Sequence, residues 1–254
     1  MKSEQGRGHT LLVTGGSRGI GAAVCRLAAA DGWAIAVNYA RDATAADAVV
    51  AAIVAAGGRA LALQADVADD AAVVTMFAAI DRDLPPLGGL VNNAGVVDTP
   101  VRVDAMSVER LQRMFAINVF GSFLCAREAL RRMSTRHGGA GGAIVNVSSA
   151  AARLGSPGIY VDYAASKGAI DTFTLGLARE VAHEGVRVNA VRPGIIDTDI
   201  HASGGHDERV RDMLAQLPMH RAGAAMEVAQ AIAWLLSDEA SYTTGALLDV
   251  SGGR

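Results

Sequence analysis

Along the chain, short apolar runs alternate with longer stretches in which apolar positions recur every three or four residues. Thr10–Thr14, Trp33–Asn38, Ala60–Gln64, Leu90–Asn92, Ala143–Val147, Val186–Val191 and Ala246–Val250 read as strands. Their near-continuous apolar character marks strands buried on both faces. Helical spacing fills Ala22–Ala30, Ala43–Ala56, Asp69–Ile80, a long stretch from about Ser107 to Met133, Tyr163–His183 and Met226–Leu236. Asp31-Gly32 and Gly57-Gly58 stop the first two of these, and Asp69 is placed to cap the third. Strands alternating with helices across short turns predict parallel strands joined by right-handed crossovers, hence a Rossmann-type doubly wound α/β sheet with helices on both faces. Internal repeats, low-complexity tracts and linkers are absent from the sequence. The expected organisation is therefore one domain over 10–254, preceded by a flexible tail over 1–9 that has no apolar core of a signal peptide.

Composition narrows the picture further. Aromatic residues make up only 4% of the 254 residues, so the core must be built largely from Ala, Val, Leu and Ile. A net charge of −3 gives no reason to expect a nucleic-acid or acidic-membrane partner. No apolar run approaches the roughly 20 residues of a membrane span. Cys25 and Cys125 lie in apolar helical patterns, as small core residues of a protein in a reducing compartment would. A cytoplasmic location is the expectation. The histidines show no metal-ligand spacing, and no metal site is expected.

Chemistry enters at the first strand-to-helix turn. Gly15, Gly19 and Gly21, with Ser17, Arg18 and Ile20 between them, form a T-G-x-x-x-G-x-G turn. A backbone that must turn sharply and approach a pyrophosphate closely calls for glycine there, and the helix N-terminus then meets the anion. In doubly wound sheets such ligands lie beyond the C-terminal strand ends, where strand order reverses. The second strand ends Asn38-Tyr39-Ala40-Arg41-Asp42. Tyr39 stands where an acid would bind a ribose 2′-hydroxyl, and the guanidinium groups of Arg18 and Arg41 suit a 2′-phosphate. Asp42, past the strand, is placed to cap the next helix. NADP is therefore favoured over NAD.

A second constellation runs from Ile144 to Lys167. A buried strand ends at Ser148 and Ser149, turn residues follow, and a helix carries Tyr163 and Lys167 four apart on one face. A hydroxyl, a phenol and an ammonium so placed suit proton transfer to or from an alcohol. A phenol titrates near 10, and moving it to neutrality requires roughly 4 kcal/mol, which a close ammonium in a dry cleft would supply. Read alone, Tyr-x-x-x-Lys also describes an ordinary helix start.

Together these motifs resemble those of the classical short-chain dehydrogenase/reductase family. In order they are T-G-G-S-R-G-I-G at 14–21, A-D-V at 65–67, N-N-A-G at 92–95, the asparagine of I-N-V at 118, N-V-S-S at 146–149, Y-A-A-S-K at 163–167 and R-P-G-I-I-D-T at 192–198. The likeness covers nearly the whole chain, and finer features resemble the branch of 3-oxoacyl-carrier-protein reductases and glucose dehydrogenase-like enzymes. The resemblance implies Tyr163 as acid/base, Lys167 lowering its pKa and binding the nicotinamide ribose, Ser149 polarising the substrate oxygen and Asn118 holding a relay water. It also implies that Asp66 and Val67 meet the adenine, and that Asn92, Ala94 and Gly95 line the ribose and diphosphate. Pro193, Gly194, Ile195 and Thr198 would approach the carboxamide and phosphates. A homotetramer is implied as well, consistent with the small residues of the Tyr163 helix.

One spacing departs from the family pattern, which sets its serine thirteen residues before its tyrosine. Ser149 precedes Tyr163 by fourteen residues and Ser148 by fifteen. Ser149 is preferred, with Ser148 as the alternative. Tyr160 has Ala164 four residues on in place of lysine, and is read as a substrate-pocket or packing residue. Substrate choice is expected to lie around Ser156–Tyr160 and Ile195–Leu217, with Gly204-Gly205 as a candidate hinge. The resulting expectation is an NADP-dependent oxidoreductase interconverting a secondary alcohol and a ketone on a small molecule. An NAD-dependent sugar or polyol dehydrogenase and a non-catalytic nucleotide-binding protein are the alternatives.

Overall fold

The structure, a computed structural model, describes residue 6, residues 8–197 and residues 217–254. Seven parallel strands form the central sheet: β1 (Thr10–Val13), β2 (Ala34–Tyr39), β3 (Ala60–Gln64), β4 (Leu87–Asn92), β5 (Gly142–Val147), β6 (Val186–Pro193) and β9 (Leu247–Val250). Their spatial order is β3-β2-β1-β4-β5-β6-β9, so the direction in which successive strands are added reverses between β1 and β4, which remain parallel to each other. That switch point opens a crevice at the C-terminal strand ends. A separate pair, β7 (Ile196–Asp197) and β8 (Gly223–Ala224), lies after β6.

Alternation along each strand builds the two halves of the core. Leu11, Val13, Ile35, Val37, Val91 and Val145 pack under α1 (Gly19–Ala30), α2 (Ala43–Ala55) and α8 (Ala225–Leu236). Leu12, Ala36, Leu90, Ile144 and Val188 pack on the opposite face, under α3 (Asp70–Asp83), α5 (Gly121–Met133) and α7 (Val161–Val181). Among the described residues, no helix is long and apolar enough to cross a membrane.

The structure moves several predicted boundaries, each for a local reason. The β4 strand begins three residues before the predicted Leu90, because Gly88 and Gly89 lie beneath the His9 and Leu11 side chains, where a Cβ would come within 2.9 and 2.7 Å. Glycine hid that strand from an apolar pattern. The stretch predicted as one helix from Ser107 to Met133 is three pieces: α4 (Val108–Phe115), a π-helical turn over Ala116–Phe120, and α5. The turn after Ser149 includes a short helix, α6 (Ala151–Leu154). Of the predicted tail, Gly6 is buried against the Trp33 ring and the His9 carbonyl accepts from Ala34 N at 3.0 Å.

Candidate active site

At the switch point, the end of β4 is stitched to the glycine turn. Thr14 Oγ1 accepts from Asn93 N at 2.9 Å and Ala94 N at 3.0 Å, while Asn93 Nδ2 donates to the Thr14 and Gly15 carbonyls at 2.9 and 3.0 Å. Gly15 sits at φ +60° and Gly19 at φ +52°, where side chains are disfavoured. A Cβ on Gly21 would lie 2.4 Å from the Gly15 carbonyl oxygen. No side chain caps α1, so its first-turn N–H groups are left for an anion, with Ser17 and Ile20 half-buried alongside. A cradle closed by a Cβ and an uncapped helix start fit a dinucleotide's pyrophosphate.

The end of β2 completes this half. Arg18 and Arg41 are exposed, and neither forms an ion pair among the described residues; half-buried Tyr39 and exposed Ala40 lie between the strand and Arg41. Asp42 accepts from Ala45 N at 3.0 Å and caps α2. Asn38 has a different task from the one expected. Its Oδ1 accepts from Gly15 N at 3.1 Å and its Nδ2 donates to the Leu63 and Ala65 carbonyls at 3.3 and 3.0 Å, so it shapes the turn from within the chain. Asn92 is likewise turned inward, donating to Ser122 O and to Asn146 Oδ1 at 3.3 and 2.9 Å, with its own Oδ1 buried and unpartnered. Exposed Asp66 accepts from Ala68 N at 2.9 Å, and Val67 is buried against Gly121.

On the other side of the crevice, the Pro193 carbonyl accepts from Ala150 N at 2.9 Å and Gly194 N donates to Val250 O at 3.1 Å. A Cβ on Gly194 would come within 2.8 Å of Ser251 Cα, and Ile195 is buried. Thr198, Gly204-Gly205 and the rest of 198–216 lie outside the described residues. A cavity of about 450 Å³ nearby is lined by Ile195, Ile196, Met219 and Arg153 among others, but by none of Ser149, Tyr163 and Lys167.

Ser149 follows β5, while Tyr163 and Lys167 project from the first turns of α7. Ser149 hydrogen-bonds the Tyr163 phenol, and its Oγ also accepts from Ala151 N at 3.1 Å. Ser148 is buried and donates to the Lys167 carbonyl at 3.1 Å, so its hydroxyl proton is committed to the backbone of α7. Lys167 Nζ donates to Val147 O at 2.7 Å and lies 5.7 Å from the Tyr163 ring centroid. Opposite, a Cβ on Gly95 would stand 3.6 Å from Lys167 Nζ and 3.4 Å from Asn118 Oδ1. Asn118 sits in the π-helical turn and clamps Val96 both ways, accepting from its N at 2.8 Å and donating to its carbonyl at 3.0 Å. It also donates to Ser166 Oγ at 3.1 Å, which ties the turn to α7.

The electrostatics differ from the expected lowering of the phenol. Burial pushes the Tyr163 phenol above its ordinary value, opposed by the Ser149 hydrogen bond. Burial also pushes Lys167 down from 10.5 to about 8, with Asp171 acting in the opposite direction. The ammonium is turned toward a backbone carbonyl, and a dry site penalises both charged forms.

A family profile described as "Enoyl-(Acyl carrier protein) reductase" matches residues 15–254. The chain is 58% identical over 243 residues to "Uncharacterized oxidoreductase YgfF" of Escherichia coli (strain K12), covering 96% of this chain and 98% of that protein. The chain belongs to the short-chain dehydrogenase/reductase family. Its structure superposes on a blue fluorescent protein from a metagenomic library, solved with NADPH, with TM-score 0.91 and 36% identity over 98% of this chain and 99% of that one. A short-chain dehydrogenase from Burkholderia cenocepacia J2315, solved with NADP, gives TM-score 0.88 at 36% identity over the same shares. As a member of this family the protein is an oxidoreductase.

Several residues that build this short-chain dehydrogenase/reductase site escaped the sequence reading. Arg110 of α4 forms a buried bidentate pair with Asp162, at 2.7 and 3.2 Å, and donates to Thr99 O at 2.6 Å. It thereby fixes the residue next to Tyr163 to the loop after β4. Beneath the site, Asn146 Nδ2 donates to Thr174 Oγ1 at 2.9 Å, extending the chain of buried amides from Asn92 to α7. Asn146 and Thr174 were marked in the sequence as polar residues inside apolar runs, whereas Arg110 stands among other polar residues and carried no such mark.

Proposed function

We propose that the protein interconverts a secondary alcohol and a ketone with NADP, using Tyr163 as acid/base. The observation that carries the reading is the meeting of the Ser149 hydroxyl, the Tyr163 phenol and the Lys167 ammonium at the mouth of a glycine-lined crevice. For the cofactor, the support is the pair of exposed arginines, Arg18 and Arg41, together with the use of Asp42 as a helix cap instead of a ribose ligand. Two similar proteins solved with NADPH and NADP point the same way.

The nicotinamide, when bound, supplies or accepts the hydride at the substrate carbon. Ser149 donates a hydrogen bond to the substrate oxygen where charge develops. Tyr163 transfers the proton. Because burial raises its pKa, the phenol is protonated at neutral pH, the form that ketone reduction needs. Lys167 favours the transient phenolate while it remains an ammonium, so reduction should weaken as pH rises through about 8. The Asn118 side chain is committed to Val96 and Ser166; a relay water at this residue would use its carbonyl oxygen. The exposed Phe120 and Leu175, with Phe123 stacked on Phe173 at 3.9 Å, support a homotetramer built through α5 and α7. Two buried free cysteines are consistent with a cytoplasmic location.

The test is turnover of NADPH and NADH against a panel holding a 3-oxoacyl thioester, a cyclic ketone, a sugar, a polyol and an enoyl thioester. Ketone-dependent NADPH oxidation that falls about 10²–10⁴-fold in Tyr163→Phe, with NADPH binding retained, is expected. Undiminished turnover in that variant overturns the reading, as does consumption of the enoyl thioester in preference to every ketone. NADPH binding with no turnover on any member shifts weight to a nucleotide-binding role.

A further inference from the structure

We propose that Asp171 is a positioning residue for Lys167: a carboxylate one turn along the same face of α7 that keeps the lysine an ammonium in a dry site, and is itself held by Arg192. This deepens the proposed function and rests on Lys167 acting there.

Lys167 is only 5% exposed, yet among the described residues its three protons find a single hydrogen-bond acceptor, Val147 O. Asp171 lies four residues on, where α-helical spacing puts side chains on one face. Its Oδ1 is buried with no hydrogen-bond partner, and its Oδ2 is 3.5 Å from Arg192 Nη1. Arg192 is committed mainly elsewhere: Nε and Nη2 bond Asp249 at 2.7 and 3.2 Å. Asp249 is in turn 3.5 Å from Arg153. The guanidinium therefore meets only part of the Asp171 charge. A buried carboxylate oxygen with no donor is expensive to keep. The remaining field falls on Lys167, whose interaction with Asp171 opposes the effect of burial.

Among the described residues, the charged or titratable groups on the surrounding elements are few. Asp162, Tyr163, Arg179 and Glu180 share α7; Asp162 is bound to Arg110, and Arg179 and Glu180 are exposed more than two turns beyond Asp171. Arg192 comes from β6, whose other arginine, Arg187, is bound to the Leu235, Leu236 and Ser237 carbonyls; Asp249 comes from β9 and Arg153 from α6, while β4, β5 and the π-helical turn carry none. Asp171 is the anion among them with one oxygen, Oδ1, left without a hydrogen-bond donor, its other oxygen meeting Arg192 at 3.5 Å.

The chain has lysines only at positions 2 and 167, so its charge state is readable directly. Full-length protein labelled with ¹³C at lysine Cε should give two resonances, and Lys2→Arg identifies the one from Lys167. The Lys167 titration midpoint is expected near 8 in the wild type. In Asp171→Asn it should fall by about one unit or more, in Arg192→Gln it should rise, and in Glu180→Gln, an exposed carboxylate farther along α7, it should stay. A loosened fold would expose the lysine and raise its midpoint, so the downward shift is one that structural damage cannot imitate. The alkaline limb of the kcat profile should move down with it. An unchanged or raised midpoint in Asp171→Asn overturns the proposal; if that variant does not fold, an unchanged midpoint in Arg192→Gln does so. Because the titration needs no turnover, it can fail while Tyr163-dependent activity stands, or succeed where activity is absent.

Discussion

The two ends of the crevice solve opposite problems. At the glycine end, function is carried by backbone. Gly15 and Gly21 are required because any side chain would strike the turn, and Arg18 and Arg41 are exposed cations, while Asp42 and Asp66 are turned to nearby backbone N–H groups. At the catalytic end, function is carried by buried and half-buried side chains, and nearly every one is held by a second residue. Ser149 is bonded to Tyr163, Lys167 to Val147, Asn118 to Val96 and Ser166, and Asp162 to Arg110. One end keeps its charges in water and imposes shape; the other takes its ionisable groups out of water and imposes protonation. The difference teaches that binding here should be sensitive to a few atoms of backbone space, whereas chemistry should be sensitive to pH and to residues that touch no substrate.

The comparison breaks most sharply at Gly21. A methyl group there would sit 2.4 Å from the Gly15 carbonyl oxygen and 2.6 Å from Asn93 Nδ2, so Gly21→Ala must push the turn off the end of β4. NADPH affinity is expected to fall by about a hundredfold or more, since displacing a binding group by about 1 Å costs that much. The catalytic end, built on other elements, should keep its Lys167 titration. Fluorescence titration with NADPH and the lysine ¹³C signal check the two halves separately; coordinated loss of both would show that the ends are not independent.

A smaller effect is expected from the arginines. Arg41→Ala and Arg18→Ala should each weaken NADPH binding about tenfold while leaving NADH within about twofold, because an exposed charge-assisted contact sits at the low end of its range. The preference should shrink as salt is raised, in keeping with screening of solvent-exposed charge. Equal losses for NADPH and NADH would mean that these groups do not meet a 2′-phosphate, and the shape-only account of this end would then have to cover cofactor choice as well.

How much of this was legible in the sequence follows the same division. The glycine turn, the helix cap at Asp42 and the alternation of strands with helices could be read because each rests on local chemistry, a steric exclusion or a repeating period. The roles first assigned to Asn38 and Asn92 could not be separated from cofactor contact. A polar residue at a strand end looks the same whether it faces a ligand or, as here, bonds Gly15 and Ser122 from inside. The break at Asn118 was hidden because its cause, the Val96 backbone, is 22 residues away in sequence. Arg110–Asp162 and Arg192–Asp171 are pairings across elements of the same kind, 52 and 21 residues apart. The direction of the Tyr163 shift was missed for a further reason. A Tyr-x-x-x-Lys spacing shows that a charge is near, and says nothing of how much water has been removed from around both groups.

The smallest effect probes the thermodynamic side of that desolvation. Lys167 titrates at about 8 in the folded protein and at 10.5 when exposed, so between these values the unfolded chain binds more protons and stability rises with pH. Below pH 8 the folded state carries the whole cost of the buried ammonium, of order 3 kcal/mol. Lys167→Met fills similar space without charge and gives up the charge-assisted hydrogen bond to Val147, worth about 2 kcal/mol. The variant should therefore be inactive in turnover yet more stable at pH 7 by roughly 1 kcal/mol, which is about 2–4 °C in Tm for a chain of this size. Its advantage over the wild type should shrink steadily from pH 8 toward 10, where the native lysine is neutral in the folded state as well. Thermal melts of both proteins across pH 6–10 read this as a difference, in which titrations common to the two cancel. A methionine variant less stable than the wild type at pH 7 would mean that Asp171 and Val147 repay the lysine in full. The catalytic end would then resemble an ordinary satisfied core instead of a strained site held by its neighbours.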